Sequence, residues 1–220
     1  FELSKTIFDS VVGISSDDIE FSVTNEIEYS KIEFGEKIKV TIPSPLTLRN
    51  QYFIEGNVFT DSQEYANSIW SLYLVTIYHA GAHVRLSNYS KYSHWVKEKK
   101  FEKCWNVINF IEDIKVEGFL KKEHPGIWQQ MSMIKMLYDT HYDNEIHKDV
   151  KFSREIFSKF SGVENTKKMW REKVSKTLLE MPNHSIEQII PFLDLLYKNQ
   201  HLLPKNNYPY EDRHHYKKYQ

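Results

Sequence analysis

The 220 residues are 40% hydrophobic and 15% aromatic, with a formal net charge of −1. That is enough chain and enough apolar surface to bury a core, which excludes a disordered chain. A balance this close to zero gives no electrostatic footprint for nucleic acid and no polybasic membrane anchor.

No run approaches the roughly 18 to 20 apolar residues of a membrane span. The longest apolar segment, Leu72 to Tyr78, is interrupted by Thr76 and runs straight into histidines. No membrane insertion is therefore expected. A single cysteine, Cys104, cannot form an internal disulfide, so the reducing cytoplasm is the default compartment. Cys104 stands beside Trp105 in a helical pattern and reads as a small buried hydrophobe.

A short helix is predicted over Ser4 to Val12. Alternation then takes over: Ile19, Phe21 and Val23, then Ile32 and Phe34, then Ile38, Val40 and Ile42 stand between polar residues. Period two means half-buried strands. Gly35-Glu36 offers a hairpin turn between the second and third runs, and Pro43 and Pro45 end the sheet. Residues 1–50 are thus expected to form a small antiparallel sheet. It is too small to stand alone, so it should pack on the helices as part of one domain.

Beyond Asp61 the period becomes helical. Asp61 or Ser62 is a suitable N-cap, and the helix should run to about Leu86. Leu72, Val75, His79, His83 and Leu86 share one face. Asn88-Tyr89-Ser90 marks a break. A second helix starts at Tyr92 or Phe101 and ends near Leu120. It is apolar almost all round (Val107, Ile108, Phe110, Ile111, Ile114, Val116, Phe119), so it should be central. His124-Pro125-Gly126 is a turn that opens a further helix over about 127–138. More helices are expected at about 151–161, 165–180 and 185–199, the last two separated by Met181-Pro182-Asn183. Residues 204–220 read as a polar tail or a linker. The predicted fold class is α+β, mainly α: one helical, bundle-like domain over 1–203 with a small N-terminal antiparallel sheet. The five tryptophans, Trp70, Trp95, Trp105, Trp128 and Trp170, fall within helical patterns and read as core or interface anchors.

The chemistry lies on two of these helices. His79 and His83 are four residues apart, which places both imidazoles on one helical face, one turn apart. Two nitrogens at that spacing can reach one metal ion, as in the H-E-x-x-H zinc peptidases. Here the second position is Ala80, so the base that would deprotonate a metal-bound water is missing. Glu112, Asp113 and Glu117 are carboxylates in an otherwise apolar helix, and Asp113 and Glu117 share a face. They are the candidates for a further ligand. Two readings stay open. One is a site for zinc or another divalent metal, since two His and a carboxylate suit several. The other is a metal-free polar cluster in which the histidines pair with these carboxylates, with Arg85 and Lys115 as structural partners. In either case the two helices are expected to meet through this cluster. A third possibility is that Ala80 replaces a catalytic Glu by substitution.

At these residues the chain resembles a known family. His79-Ala-Gly-Ala-His83-Val-Arg85, then Glu112-Asp113-Ile-Lys115-Val-Glu117, then Pro125-Gly126-Ile127-Trp128 are similar to the N-terminal region of the NorD and CbbO proteins. In that family an H-x-x-A-H-x-R helix is followed by an E-D-x-R/K-x-E helix and then by P-G-L. The resemblance covers about residues 70–130. It implies an accessory or activation protein that works with a hexameric MoxR-type AAA+ ATPase and remodels, or helps load metal into, a target protein such as nitric oxide reductase or rubisco. The family also carries a von Willebrand A domain with a D-x-S-x-S metal site. This sequence has no D-x-S-x-S, so adhesion to a target through that domain is not carried over. Lys115 stands where the family often has Arg, which keeps the charge and loses the bidentate fork.

There is no P-loop, no G-x-G-x-x-G, no G-x-S-x-G and no C-x-x-C. The basic and aromatic end, Asp212 to Tyr219, reads as a solvated terminus. The expectation is therefore an accessory protein without catalysis of its own. The alternatives are a zinc metallopeptidase-like protein lacking its catalytic Glu, and an interaction domain unrelated to either.

Overall fold

The computed structural model describes residues 2–131 and 186–198, apart from 14–16, 28, 50, 56, 61–62 and 98. The helices expected at 151–161 and 165–180, the N-cap candidates Asp61 and Ser62, Trp170 and the segment 204–220 lie outside the described residues. The fold class is α+β, mainly α. The chain divides into two compact units, one of Phe1–Ser87 with Leu120–Leu137, the other of Asn88–Phe119 with Tyr138–Gln220.

In the first unit, helix α1 (Glu2–Val12) buries Ser4, Phe8, Val11 and Val12, a spacing that makes one apolar stripe. Gly13 ends it at φ 73°, and its N–H donates to the Asp9 carbonyl at 2.9 Å. That left-handed cap suits a residue without a Cβ.

Three strands follow: β1 (Ile19–Thr24), β2 (Lys31–Phe34) and β3 (Ile38–Pro43). Their order is β1-β3-β2. The turn expected at Gly35-Glu36 is present, with Phe34 opposite Ile38 in the antiparallel β2–β3 pair. The β1–β3 pair is parallel, with Phe21 opposite Val40 and Val23 opposite Ile42. The sheet is therefore mixed rather than wholly antiparallel. Alternation specifies which face is buried, and it carries no record of strand direction. Val40 and Ile42 of the central strand have no solvent exposure. Phe21 stacks on Phe8 of α1, ring centroids 4.7 Å apart, so the sheet and the first helix share one apolar layer.

A second sheet was not anticipated. β4 (Leu46–Leu48), β5 (Gln51–Ile54) and β6 (Asn57–Thr60) pair antiparallel in that order. Pro45 separates two sheets instead of ending the strand region. Leu48 pairs with Gln51 and Ile54 with Asn57, so both turns are two-residue hairpins. Arg49 (φ 49°) and Glu55 (φ 47°) supply the positive φ such turns require. Neither turn reads Asn-Gly or Asp-Gly, and all three β4 residues are exposed, so the period-two signal is weak here.

Helix α2 (Gln63–Leu86) ends where the sequence placed its end. It meets α1 closely at Gly81, where an added Cβ would lie 3.0 Å from the Val11 Cβ. Ser4 Oγ and Tyr73 Oη, both buried, hydrogen-bond at 2.9 Å. Residues 125–131 form a further helix, α5, which opens at Pro125 as expected.

The second unit is built on a 3-10 turn (Tyr89–Tyr92), a short α3 (Ser93–Val96), the long α4 (Phe101–Glu123, whose last residues belong to the first unit) and α6 (Ile186–Lys198). Cys104, Val107, Leu193 and Leu196 sit at zero exposure in its core. Trp95 packs there too, and its indole N–H donates to Asp194 at 2.8 Å. Trp70 breaks the expected pattern: it is 60% exposed. No helix of the described residues is long and apolar enough to cross a membrane.

Candidate metal centre

Helix α2 presents His79 and His83 on consecutive turns. Their rings meet edge to face, centroids 4.6 Å apart at an interplanar angle of 79°. His83 is buried and His79 half-buried. The His83 Nδ1 lies 3.0 Å from the Ser87 hydroxyl oxygen. Ser87, just past the helix end, is itself held by its N–H donating to the His83 carbonyl at 2.8 Å.

The residues between the histidines are small. Ala80 and Ala82 are buried, and Gly81 sits against Val11 and the Phe8 carbonyl of α1. A helix that a neighbour approaches this closely has no room for larger side chains at its contact point.

The two imidazoles, on consecutive turns of α2 with their rings in contact, could share a divalent metal ion. Asp113, half-buried on α4, belongs to the second unit.

Glu112, also on that helix, has no solvent exposure. Its carboxylate accepts from the Tyr92 hydroxyl and from Lys115 Nζ at 2.7 and 2.8 Å. A carboxylate removed from water needs such donors, and a counter-charge among them. The Lys115 partner, three residues on, could be read from helical spacing. Tyr92, twenty residues earlier, left no sequence signal. Glu117, half-buried, follows Asp113 by one helical turn.

Arg85 reaches back to α1, where its guanidinium donates to the Val11 carbonyl at 3.1 Å. It thereby supplies a donor for one of the free carbonyls at the end of that helix. Cys104 is buried, as expected, and burial pushes its thiol up to about 11. That thiol stays protonated near neutrality and is a poor nucleophile. Glu55 escaped the sequence reading. Burial raises its carboxyl from the usual 4.5 to about 7, opposed by the Ser30 N–H, which donates to both carboxylate oxygens at 3.0 and 3.2 Å.

Compared with known protein families, curated proteins and solved structures, the chain matches none.

Proposed function

We propose that this chain is a non-catalytic accessory protein that holds a divalent metal at His79 and His83 and acts on a target protein together with a MoxR-type AAA+ ATPase. The observation that carries the metal part is the pair of imidazoles on consecutive turns of α2, with ring centroids 4.6 Å apart. The ATPase part is supported by the resemblance of residues 70–130 to the NorD and CbbO proteins. The lack of catalysis is supported by Ala80, which stands where a metal-bound water would need a base. The lone buried thiol suits a reducing cytoplasm.

The donor set also favours a second reading, a zinc-peptidase relative without its general base. Two measurements separate them. The metal-loaded chain is expected to bind a purified MoxR-type ATPase from the same organism and to change its rate of ATP hydrolysis. The His79→Ala, His83→Ala variant should do neither. Ala80→Glu is expected to yield no cleavage of a peptide library. Proteolysis by that variant, or an unchanged ATPase with no complex, would overturn the accessory reading.

A further inference from the structure

The His83 imidazole has two nitrogens, and only one can serve a metal on a given side of the ring. The Nδ1 is 3.0 Å from the Ser87 hydroxyl. The hydroxyl does not find this position by chance rotation alone. Ser87 follows the last residue of α2, and its backbone N–H is tied to the carbonyl of His83 itself at 2.8 Å. The ring and its partner are thus fixed to each other twice, once through the side chains and once through the main chain.

A serine hydroxyl can donate or accept. With no metal, either direction satisfies both groups. A metal on Nε2 removes that choice, because the metal takes the Nε2 lone pair and the ring proton must sit on Nδ1. Ser87 Oγ then accepts from Nδ1–H. Groups that accept from the remote N–H of a ligating histidine fix its tautomer and its ring direction.

We propose that Ser87 is a positioning residue for the metal centre: by accepting from Nδ1–H of His83 it leaves Nε2 as the ligand atom and aims it at the point shared with His79. This rests on the metal reading given above. Sequence spacing agrees with the role, since Ser87 stands four residues beyond His83, as His83 stands four beyond His79. One helical turn thus carries a ligand and the next carries its support.

The test uses the full chain and Co²⁺ or Zn²⁺ alone as the probe. Affinity is measured by chelator competition for the unaltered protein, Ser87→Ala, Ser87→Thr, and His79→Ala with His83→Ala. Ser87→Ala should bind about 10- to 100-fold more weakly, the range usual for a lost support of this kind. Ser87→Thr, which keeps the hydroxyl, should recover most of the loss. In the metal-loaded protein, nitrogen-detected NMR should show a protonated Nδ1 on His83. Equal affinity in Ser87→Ala and the unaltered protein overturns the role of Ser87 while leaving the metal centre standing. A protonated Nε2 with metal on Nδ1 overturns it as well. No binding by the unaltered protein overturns the metal reading itself, and the proposal with it. Weakening in Ser87→Ala that Ser87→Thr fails to relieve assigns the effect to packing, against the proposal.

Discussion

Two carboxylates, the fully buried Glu112 and the half-buried Glu55, are stabilised in different ways. Glu112 is ion-paired to Lys115 and takes a second donor from Tyr92. Removing the lysine's charge leaves a buried anion without its partner, which costs far more than an exposed pair is worth. Lys115→Met is therefore expected to lower unfolding stability in urea by about 3 kcal/mol. Tyr92→Phe, which removes one hydrogen bond, should cost about 1 to 2 kcal/mol. A Lys115→Met loss no larger than that of an exposed lysine would contradict this account. Glu55 accepts the Ser30 N–H on both carboxylate oxygens, and burial outweighs that bond, so its carboxyl rises from 4.5 to about 7. The folded state thus holds this proton more tightly than the unfolded chain does. Stability from this group is fully present below the ordinary value of 4.5, falls as pH rises, and is lost above about 7, where the buried carboxylate is charged. Glu55→Gln keeps an acceptor for Ser30 and never ionises. It should stabilise the protein by roughly 1 to 3 kcal/mol at pH 8 and by much less at pH 5, as read by thermal or urea unfolding. Equal effects at both pH values would rule out an ionisation origin.

The contact of α1 with α2 shows how an element depends on one residue type. Gly81 lets the helices approach until a Cβ there would sit 3.0 Å from Val11 Cβ and 3.4 Å from the Phe8 carbonyl. Gly81→Ala improves helix propensity by up to about 1 kcal/mol, yet it must push the helices apart. The steric term should prevail, giving a net loss of about 1 to 3 kcal/mol in unfolding free energy. Adding Val11→Ala should return part of that loss, because it removes the Cγ1 that would lie 3.1 Å away while keeping the Cβ at 3.0 Å. If the double variant is less stable by the plain sum of the two single effects, the close contact is not the cause. Helix spacing made α1, α2 and α4 legible in the sequence, since each has an apolar stripe or surface longer than two turns. The sheet of β4, β5 and β6 was not legible. Its strands are three or four residues long, and its turns, Arg49-Asn50 and Glu55-Gly56, place Arg and Glu at the first turn position, so neither forms the Asn-Gly or Asp-Gly pair that announces a hairpin. In such short strands the hairpins are specified by pairing partners rather than by local preference.

For the whole molecule, a metal ion held by His79 and His83 as proposed would bind only where α2 is formed and packed, and should therefore stabilise the folded chain. At a zinc concentration about a hundred times the dissociation constant, the expected gain is about 2.7 kcal/mol. It should appear as a higher thermal midpoint in the unaltered protein and be absent from the His79→Ala, His83→Ala variant. An equal rise in both would mean zinc binds elsewhere. The sequence by itself determined that this is a helix-dominated chain with a small strand region at its start, because periodicity and turn residues are local properties. It also determined that His79 and His83 share a face, because four residues make about one helical turn. Only the tertiary structure decided how the carboxylates of α4 are used. Glu112 and Asp113 are neighbours on one helix, about 100° apart around its axis, so they must face different surroundings. Glu112 turns to Tyr92 and Lys115 and is fully buried, whereas Asp113 is half-buried. That choice depends on what packs against each side of α4, which no local pattern of residues records.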